Sequence, residues 1–233
     1  MRFRLLACDY DRTIATDGVV TEPVRTALRA VRDSGRHVVL VTGRNMEELL
    51  DVFPELRLFD RLVLENGALM LDPERNTERL LCAAVSQALL AELRRRGVGP
   101  LIVGRSVIST PVENHEAVGA AAADLGLDLA LIPNVDSLMV MAGGCGKASG
   151  LAAAAAELSV ELAEVVAVGD GENDVAMIDC AGIGVAVQRA VPELKEEADI
   201  VLQRPGQDGI VDLCRSLAQR DLADLLEAGA AAI

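Results

Sequence analysis

Two aspartates, Asp9 and Asp11, stand two residues apart in the sequence DYDRT, directly after an apolar segment at residues 3–8. That segment predicts a buried strand, and ligands of parallel α/β sheets bind beyond the carboxyl ends of the strands. From such a position one carboxylate could attack a substrate while the other transfers a proton or presents its backbone carbonyl. An isolated match to this pattern is more often an acidic loop or an Asx turn.

A second predicted strand, at residues 37–41, ends in Thr42, Gly43 and Arg44 and leads directly into a helical segment. A hydroxyl, a glycine amide and a helix N-terminus together form a pocket for an anion. The same residues are also explained as a helix cap, in which Thr42 accepts hydrogen bonds from free amides of the first turn.

A later predicted strand ends in the sequence GDGEND, whose carboxylates Asp170 and Asp174 are hard oxygen ligands of the kind that suits Mg²⁺. An acidic turn that caps the next helix at Asp170 or Asn173 is the simpler alternative. If the two carboxylates converge with Asp9 and Asp11, each pair at about 5 Å repels by about 3 kcal/mol at an effective dielectric near 20. Such a cluster is tolerable only around a cation.

Lys147 supplies a positive charge at the start of another predicted helix, directly after Gly146. A divalent cation beside an anion pocket is the equipment of phosphoryl transfer, which depends on positioning and charge neutralisation. Lysines at helix starts are usually solvated, so a role for Lys147 depends on the groups around it. A P-loop is excluded, because its pattern needs glycine at Met141 and Ser or Thr at Ala148.

Short apolar runs alternate with helical patterns along most of the chain, which predicts an α/β fold with a mainly parallel sheet. Residues 84–142 break this alternation and read as helix, strand, strand written twice, an αββαββ module with a small open sheet. We therefore predict a catalytic core of residues 1–80 and 144–220, with residues 81–143 inserted as a small α+β cap. Residues 221–233 form a tail or extend the last helix.

Composition narrows the classes of function. The 233 residues carry 22 Lys and Arg against 36 Asp and Glu, and this net charge of −14 argues against a nucleic-acid partner. The longest apolar runs are too short to cross a bilayer, which predicts no membrane span. Five widely spaced cysteines without a CxxC pair predict reduced thiols, no disulfide and a cytoplasmic location.

In this order, DYDRT, TGR, Gly146-Lys147 and GDGEND resemble the four motifs of the haloacid dehalogenase-like (HAD) phosphohydrolases, from residue 3 to about residue 217. The αββ repeats resemble the cap of the class IIB branch, which includes Cof-type sugar phosphatases, sucrose-phosphate phosphatase, phosphomannomutase and small archaeal-type phosphoglycolate phosphatases. The sequence LENGA at residues 64–68 is similar to the hairpin that precedes this cap. The resemblance implies a Rossmann-like core and a Mg²⁺-dependent phosphatase whose substrate is a small phosphorylated metabolite, phosphoglycolate or a sugar phosphate.

The resemblance also implies a role for each residue of the site. Asp9 would attack phosphorus and form an aspartyl-phosphate, and Asp11 would protonate the leaving oxygen and then activate water. Mg²⁺ would be bound by Asp9, the Asp11 carbonyl and Asp170, with Asp174 in support. The phosphoryl group or the rest of the substrate would meet Thr42, Gly43, Arg44, Asn66, Lys147 and Asn173.

Two alternatives stay open. A phosphomutase of the phosphomannomutase type would return the phosphoryl group to a sugar. A phospho-acceptor or metabolite-binding protein without turnover would use similar carboxylates, but Asp11 and the cap count against it, because a signalling domain needs neither a leaving-group acid nor a lid. Arg12 stands where many relatives have Gly or Asn, and the sequence decides neither its contacts nor the oligomeric state, monomer or homodimer.

Overall fold

The computed structural model describes residues 1–134 and 136–230, which form two sheets. In chain order the strands are β1 (Leu5–Cys8), β2 (His37–Val41), β3 (Arg61–Leu64), β4 (Leu69–Asp72), β5 (Thr77–Leu80), β6 (Ile102–Val103), β7 (Ile108–Pro111), β8 (Leu129–Asn134), β9 (Ser137–Ala142), β10 (Val165–Gly169), β11 (Ile183–Ala186) and β12 (Ile200–Val201). The larger sheet has the order β12-β11-β10-β1-β2-β3-β4-β5, and the smaller one has the order β6-β7-β9-β8.

Continuous apolar sequence explains the centre of the larger sheet. Every residue of β1 and β10 is buried, as expected for parallel strands that are covered on both faces. Leu5 of β1 pairs in parallel with Val165 on one side and with His37 on the other. The strands β1, β2 and β10 therefore end at the same edge of the sheet. The predicted α/β class with a mainly parallel sheet is confirmed.

Helices follow most of the strands and cover the sheet. Their bounds are α1 (Glu22–Asp33), α2 (Met46–Val52), α3 (Gln87–Arg95), α4 (His115–Asp124), α5 (Lys147–Glu157), α6 (Val175–Asp179), α7 (Pro192–Glu197), α8 (Gln207–Arg220) and α9 (Ala223–Ala230). The first of them shows the general cause. With proline in its first turn, α1 buries Val24, Leu28 and Val31, one apolar stripe at helical spacing that faces the core.

The predicted hairpin at Asn66-Gly67 is present. β3 and β4 pair antiparallel, and a 3-10 turn over Glu65–Gly67 joins them. Gly67 has a φ of +104°, and a Cβ at this position would lie 1.9 Å from the carbonyl oxygen of Gly146. Only glycine therefore lets this turn approach the start of α5. The exposed strand β5, which pairs antiparallel with β4, was not predicted.

The smaller sheet belongs to a unit that we call the four-stranded module, residues 87–142. Its elements follow the predicted αββαββ order, and both of its helices pack on the antiparallel sheet. Their contact is a separate apolar cluster, in which Leu93 and Val118 from the helices meet Ile108, Leu138 and Val140 from the strands. The exact residue boundaries of a cap domain stay a prediction.

The C-terminal segment contains a further helix after the end of α8. α8 ends at Arg220, Asp221 adopts a left-handed φ of 53°, and a separate helix α9 follows. Residues 231–233, which belong to the same prediction, lie outside the described residues. Among the residues described, we find no helix with the length and apolar character that a bilayer crossing requires.

The prediction that the cysteines carry no disulfide was wrong. Cys82 and Cys145 are bonded to each other across a sequence separation of 63 residues, whereas Cys8, Cys180 and Cys214 are free. Cys82 lies shortly after β5, and Cys145 lies shortly before α5. The bond thus joins the two chain segments that connect the larger sheet to the four-stranded module. Wide spacing in the sequence hid this contact, because the inserted module returns the chain to its starting point.

Candidate active site

Three carboxylates meet at the carboxyl edge of the larger sheet. Asp9 follows β1, Asp170 follows β10, and Asp174 lies one turn further along the chain. All three are buried, and one oxygen from each lies within 4.8 Å of the others. The parallel register described above is the cause, since it ends β1 and β10 side by side. The structure therefore brings together the side chains of three of the four residues predicted for a metal site.

Lys147 supplies the positive charge among them. Its Nζ donates to Oδ1 of Asp9 and to Oδ1 of Asp174, each at 2.6 Å, and the residue is only 2% exposed. The second oxygen of Asp174 accepts the backbone N–H groups of Asp170 and Gly171 at 3.0 and 3.1 Å. Lys147 is therefore not a solvated lysine at a helix start. It links the loop after β1 to the loop after β10.

Asp170 keeps one oxygen without a hydrogen bond. Arg12, whose backbone has a left-handed φ of 62°, places its Nε 2.9 Å from Oδ2 of Asp170 as an ion pair. The alignment does not meet hydrogen-bond geometry, so this buried oxygen has no hydrogen-bond partner in the described part of the chain. Buried polar atoms are rarely left in this state unless a ligand or an ion completes them. The sequence had left the contacts of Arg12 undecided.

The cluster alters the acidity of its members. Burial raises the pKa of Asp9 to about 8, with Lys147 opposing the shift and Asp174 adding to it. Burial and the charge of Asp174 likewise raise the pKa of Asp170 to about 6, against the pull of Arg12. Burial alone would lower the pKa of Lys147, but the two carboxylates raise it above its ordinary value. Asp9 and Asp170 therefore each keep a proton to a higher pH than an ordinary aspartate does.

Asp11 lies outside the buried group of side chains. Its carboxylate is 45% exposed and is held by Arg44, whose Nε and Nη2 each donate at 2.8 Å. The same guanidinium lies 5.5 Å from the centre of the Tyr10 ring. Arg44, which was predicted to face the substrate, therefore orients the predicted general acid. The predicted contribution of Asp11 to a metal site is its backbone carbonyl, and it stays a prediction.

Thr42 and Gly43 lie where the larger sheet meets the four-stranded module. Thr42 is buried, and its Oγ1 accepts the backbone N–H of Arg44 at 3.2 Å. A Cβ on Gly43 would lie 2.6 Å from Cε of Met139, a residue of β9. The predicted anion pocket is therefore covered by an apolar side chain of the module.

Asn66 connects the hairpin to the acidic loop. It is fully buried with a left-handed φ of 54°, and its Oδ1 accepts Nδ2 of Asn173 at 3.1 Å. Its Nδ2 lies 3.8 Å from Sδ of Met141 in the module. The two asparagines hold each other, and their predicted contacts with phosphate or substrate stay predictions.

Many of these groups line a cavity of about 410 Å³. This volume falls within the range of small-molecule sites, about 300–1,000 Å³. Ten residues line the cavity, namely Asp9, Asp11, Arg12, Gly43, Arg44, Glu48, Met139, Lys147, Asp170 and Asn173.

Sequence reasoning missed Met139 and Glu65 as parts of this region. Met139 could have been found, because Leu138 and Val140 enter the apolar cluster of the module and strand alternation then turns Met139 to the other face. Glu65 is buried beside Asn66, and its carboxylate contacts residues 105 and 106. No local sequence pattern predicts the contact of Glu65 with residues 105 and 106, which are about 40 residues away in the sequence.

A parallel α/β sheet with an acidic group and a buried lysine at its carboxyl edge, beneath an inserted module, defines a hydrolase of HAD type. A family model described as haloacid dehalogenase-like hydrolase matches residues 6–95 and 132–213. The chain belongs to this family and is a hydrolase of the phosphatase type, which confirms the resemblance inferred from the four motifs.

Curated relatives extend over nearly the full chain. A 5-amino-6-(5-phospho-D-ribitylamino)uracil phosphatase of Bacillus subtilis, YcsE, is 28% identical over 237 residues, covering 91% of this chain and 94% of its own. A phosphoglycolate phosphatase of Methanothermobacter thermautotrophicus is 28% identical over 222 residues, covering 91% and 97%. Among solved structures, a HAD subclass IIB sugar phosphatase has a TM-score of 0.77 at 19% identity, with 92% of this chain and 98% of that chain covered. This last similarity concerns the fold.

Proposed function

We propose that the chain is a Mg²⁺-dependent phosphomonoesterase that hydrolyses a small phosphorylated metabolite through an aspartyl-phosphate on Asp9. The observation that carries this proposal is the buried group of Asp9, Asp170 and Asp174 around Lys147. Lys147 donates a hydrogen bond to one oxygen of Asp9. Asp9 also lines the cavity, where a phosphoryl group would come into contact with its carboxylate. A nucleophile beside a fixed cation is suited to phosphoryl transfer, which requires positioning and charge neutralisation.

The residues present fit a divalent cation. Their donors are oxygens, the ligands that Mg²⁺ prefers, and the buried Oδ2 of Asp170 lacks a hydrogen-bond partner among the described residues. Asp9, Asp170 and the carbonyl of Asp11 would hold the ion, with Asp174 in support. When bound, the ion would supply charge neutralisation at the transferring phosphoryl group.

The side chains of this protein perform the remaining work. An oxygen of Asp9 forms a bond to phosphorus while the bond from phosphorus to the leaving oxygen breaks, and Asp11 gives that oxygen its proton. Asp11 then accepts a proton from the water that cleaves the aspartyl-phosphate and releases inorganic phosphate. Arg44 supports the second step, in which Asp11 is the ionised base, because its two 2.8 Å hydrogen bonds hold the Asp11 carboxylate. Thr42 and the amide of Gly43 would bind the phosphoryl oxygens.

Size and chemistry favour a small substrate, phosphoglycolate or a sugar phosphate. The cavity of about 410 Å³ matches the volume of a small molecule, and Met139 covers the pocket at Gly43. The net charge of −14 also disfavours long polyanions such as nucleic acids. Curated relatives named for phosphoglycolate and for a phosphoribityl compound support the same class.

Phosphate release tests the proposal. The assay uses phosphoglycolate, hexose phosphates and a phosphopeptide, with Mg²⁺ or with EDTA, and compares Asp9→Asn with Asp33→Asn, an exposed carboxylate at the end of α1. We expect turnover of one of the small substrates that disappears with EDTA and with Asp9→Asn and persists with Asp33→Asn. Undiminished turnover by Asp9→Asn would overturn the mechanism, and efficient hydrolysis of the phosphopeptide would overturn the substrate class.

The same assay separates the alternatives. An isomerised product, or a requirement for a bisphosphate activator, would identify a phosphomutase. A phosphorylated protein that persists for minutes without releasing phosphate would identify a phospho-acceptor.

A further inference from the structure

Glu65 is a buried carboxylate that the proposed reaction does not use. It follows β3 in the 3-10 turn, with a left-handed φ of 48°, and is 3% exposed. Its backbone N–H donates to the carbonyl of Arg44 at 3.0 Å, so its position is fixed relative to the catalytic edge. A buried carboxylate needs hydrogen-bond donors to offset its lost hydration.

The donors come from the four-stranded module. Oε1 of Glu65 accepts the backbone N–H of Arg105 at 3.1 Å, and Oε2 accepts the backbone N–H of Ser106 at 3.0 Å. Both amides lie in the turn between β6 and β7, which the N–H of Gly104 closes by donating to Val107 at 2.8 Å. The turn fits closely around the carboxylate, since a Cβ on Gly104 would lie 2.7 Å from Oε2.

Asn66, the next residue, connects the Glu65–Gly67 turn to the acidic loop after β10. Asn66 accepts a hydrogen bond from Asn173 and contacts Met141 of the module. Residues 65 and 66 thus contact the module and the acidic loop from adjacent positions. Moving the module away from Met139's contact with Gly43 requires the carboxylate of Glu65 to give up both backbone donors.

We infer that Glu65 is a positioning residue that holds the four-stranded module over the active site, because its carboxylate accepts hydrogen bonds from the backbone N–H groups of Arg105 and Ser106. The charge matters because an ionised carboxylate accepts both N–H groups, and such bonds are stronger than those between neutral groups. The module contributes Met139 to the lining of the cavity, so its position sets how often the cavity is complete. Substrate affinity falls in proportion when the complete state is less populated.

A matched control is available at Glu78 of β5, which contacts the same turn. The side chain of Arg105 forms an ion pair with Glu78 of β5, and this arginine is 58% exposed. Glu78→Gln therefore removes a carboxylate that contacts the same residue of the module, yet leaves both amides with Glu65. Exposed ion pairs of this kind contribute little.

The experiment compares the unaltered chain with Glu65→Ala, Glu65→Gln and Glu78→Gln. Amide hydrogen exchange is followed by mass spectrometry in peptides that cover residues 98–112 and 137–142. We expect Glu65→Ala to raise exchange in these two segments at least tenfold while peptides of β1 and β10 stay protected. Glu65→Gln is expected to have a smaller effect in the same direction, because one amide nitrogen replaces an acceptor oxygen, and it also serves if the alanine variant does not fold. Glu78→Gln is expected to change neither.

The catalytic readout rests on the proposed phosphatase function. We expect KM for the best small substrate to rise about tenfold in Glu65→Ala, with kcat changed less than threefold. Exchange in Glu65→Ala and Glu65→Gln equal to that in Glu78→Gln would overturn the inference whether or not turnover is found. A chain that hydrolyses no substrate but shows the expected exchange would retain the role of Glu65 and refute the phosphatase instead.

Discussion

Replacing Lys147 with methionine removes the one lysine that contacts the buried carboxylates and leaves a side chain of similar length. In the structure, Nζ lies 2.6 Å from Asp9 and 2.6 Å from Asp174, and the lysine is 2% exposed. At 2.6 Å and an effective dielectric near 20, each pair attracts by about 6 kcal/mol before desolvation is counted. Removing one partner of a buried ion pair costs about 3–5 kcal/mol net.

The cost depends on pH, and the sign follows from Asp9. Its pKa is already raised to about 8, so below that pH the carboxyl is largely protonated in the metal-free protein. Lys147 is a group that lowers this pKa, so without the lysine the pKa of Asp9 rises further and the proton is kept to higher pH. We expect Lys147→Met to lower the free energy of unfolding by about 3–5 kcal/mol at pH 9 and by less at pH 5.

Urea denaturation in EDTA at pH 5, 7 and 9 measures this difference. Lys195→Met is the control, since Lys195 is the other lysine of the chain and lies partly exposed on α7. For a chain of this size, the loss corresponds to a drop in Tm of roughly 6–20 °C. A loss below about 1 kcal/mol at pH 9, or one equal to that of Lys195→Met, would refute the idea that Lys147 offsets the buried charge.

Three further outcomes are expected. The raised pKa of Asp9 keeps a proton in the metal-free folded protein that the unfolded chain releases, so the free energy of unfolding should fall from about pH 4 to pH 8. The stabilisation by added Mg²⁺, measured by thermal denaturation, should grow over the same pH range, and a constant Mg²⁺ effect would contradict this. Cys82→Ser should lower the free energy of unfolding by up to about 4 kcal/mol, by the loop-entropy estimate for its bond to Cys145, without added thiol and should change nothing in dithiothreitol; equal losses in both would contradict it. Gly67→Ala should cost about 3 kcal/mol in urea denaturation, since a Cβ there meets a carbonyl at 1.9 Å, whereas Gly126→Ala, with nothing within 4 Å, should cost clearly less.

Sequence reasoning succeeded where the determining information is local. The carboxyl ends of β1 and β10 follow from short apolar runs, and the parallel register then places Asp9 beside Asp170. The same reasoning could not find β5, whose residues are all exposed and whose pairing with β4 depends on the hairpin before it. It also missed the disulfide between Cys82 and Cys145. These two cysteines are 63 residues apart in the sequence, and the inserted module brings them together.

Contacts between the larger sheet and the module were the least predictable part of the site. Their partners lie far apart in the sequence, as Glu65 and residues 105 and 106 show. Their donors are backbone amides, which every residue except proline carries, so no residue type marks them. Only the buried glutamate differs from expectation, because a carboxylate in a strand-to-strand turn is usually solvated.

The buried carboxylates Asp9, Asp170 and Asp174 lower the stability of the fold at the proposed active site. Asp9 and Asp170 are buried with raised pKa values, and each would be less costly at the surface. Lys147 offsets part of the cost at Asp9, and the ion pair with Arg12 offsets part of it at Asp170, whose Oδ2 still lacks a hydrogen-bond partner among the described residues. Under the proposed mechanism, burial would fix the nucleophile Asp9 and shield it from water. The proposed cation would then stabilise the fold and prepare the proposed reaction through the same carboxylates.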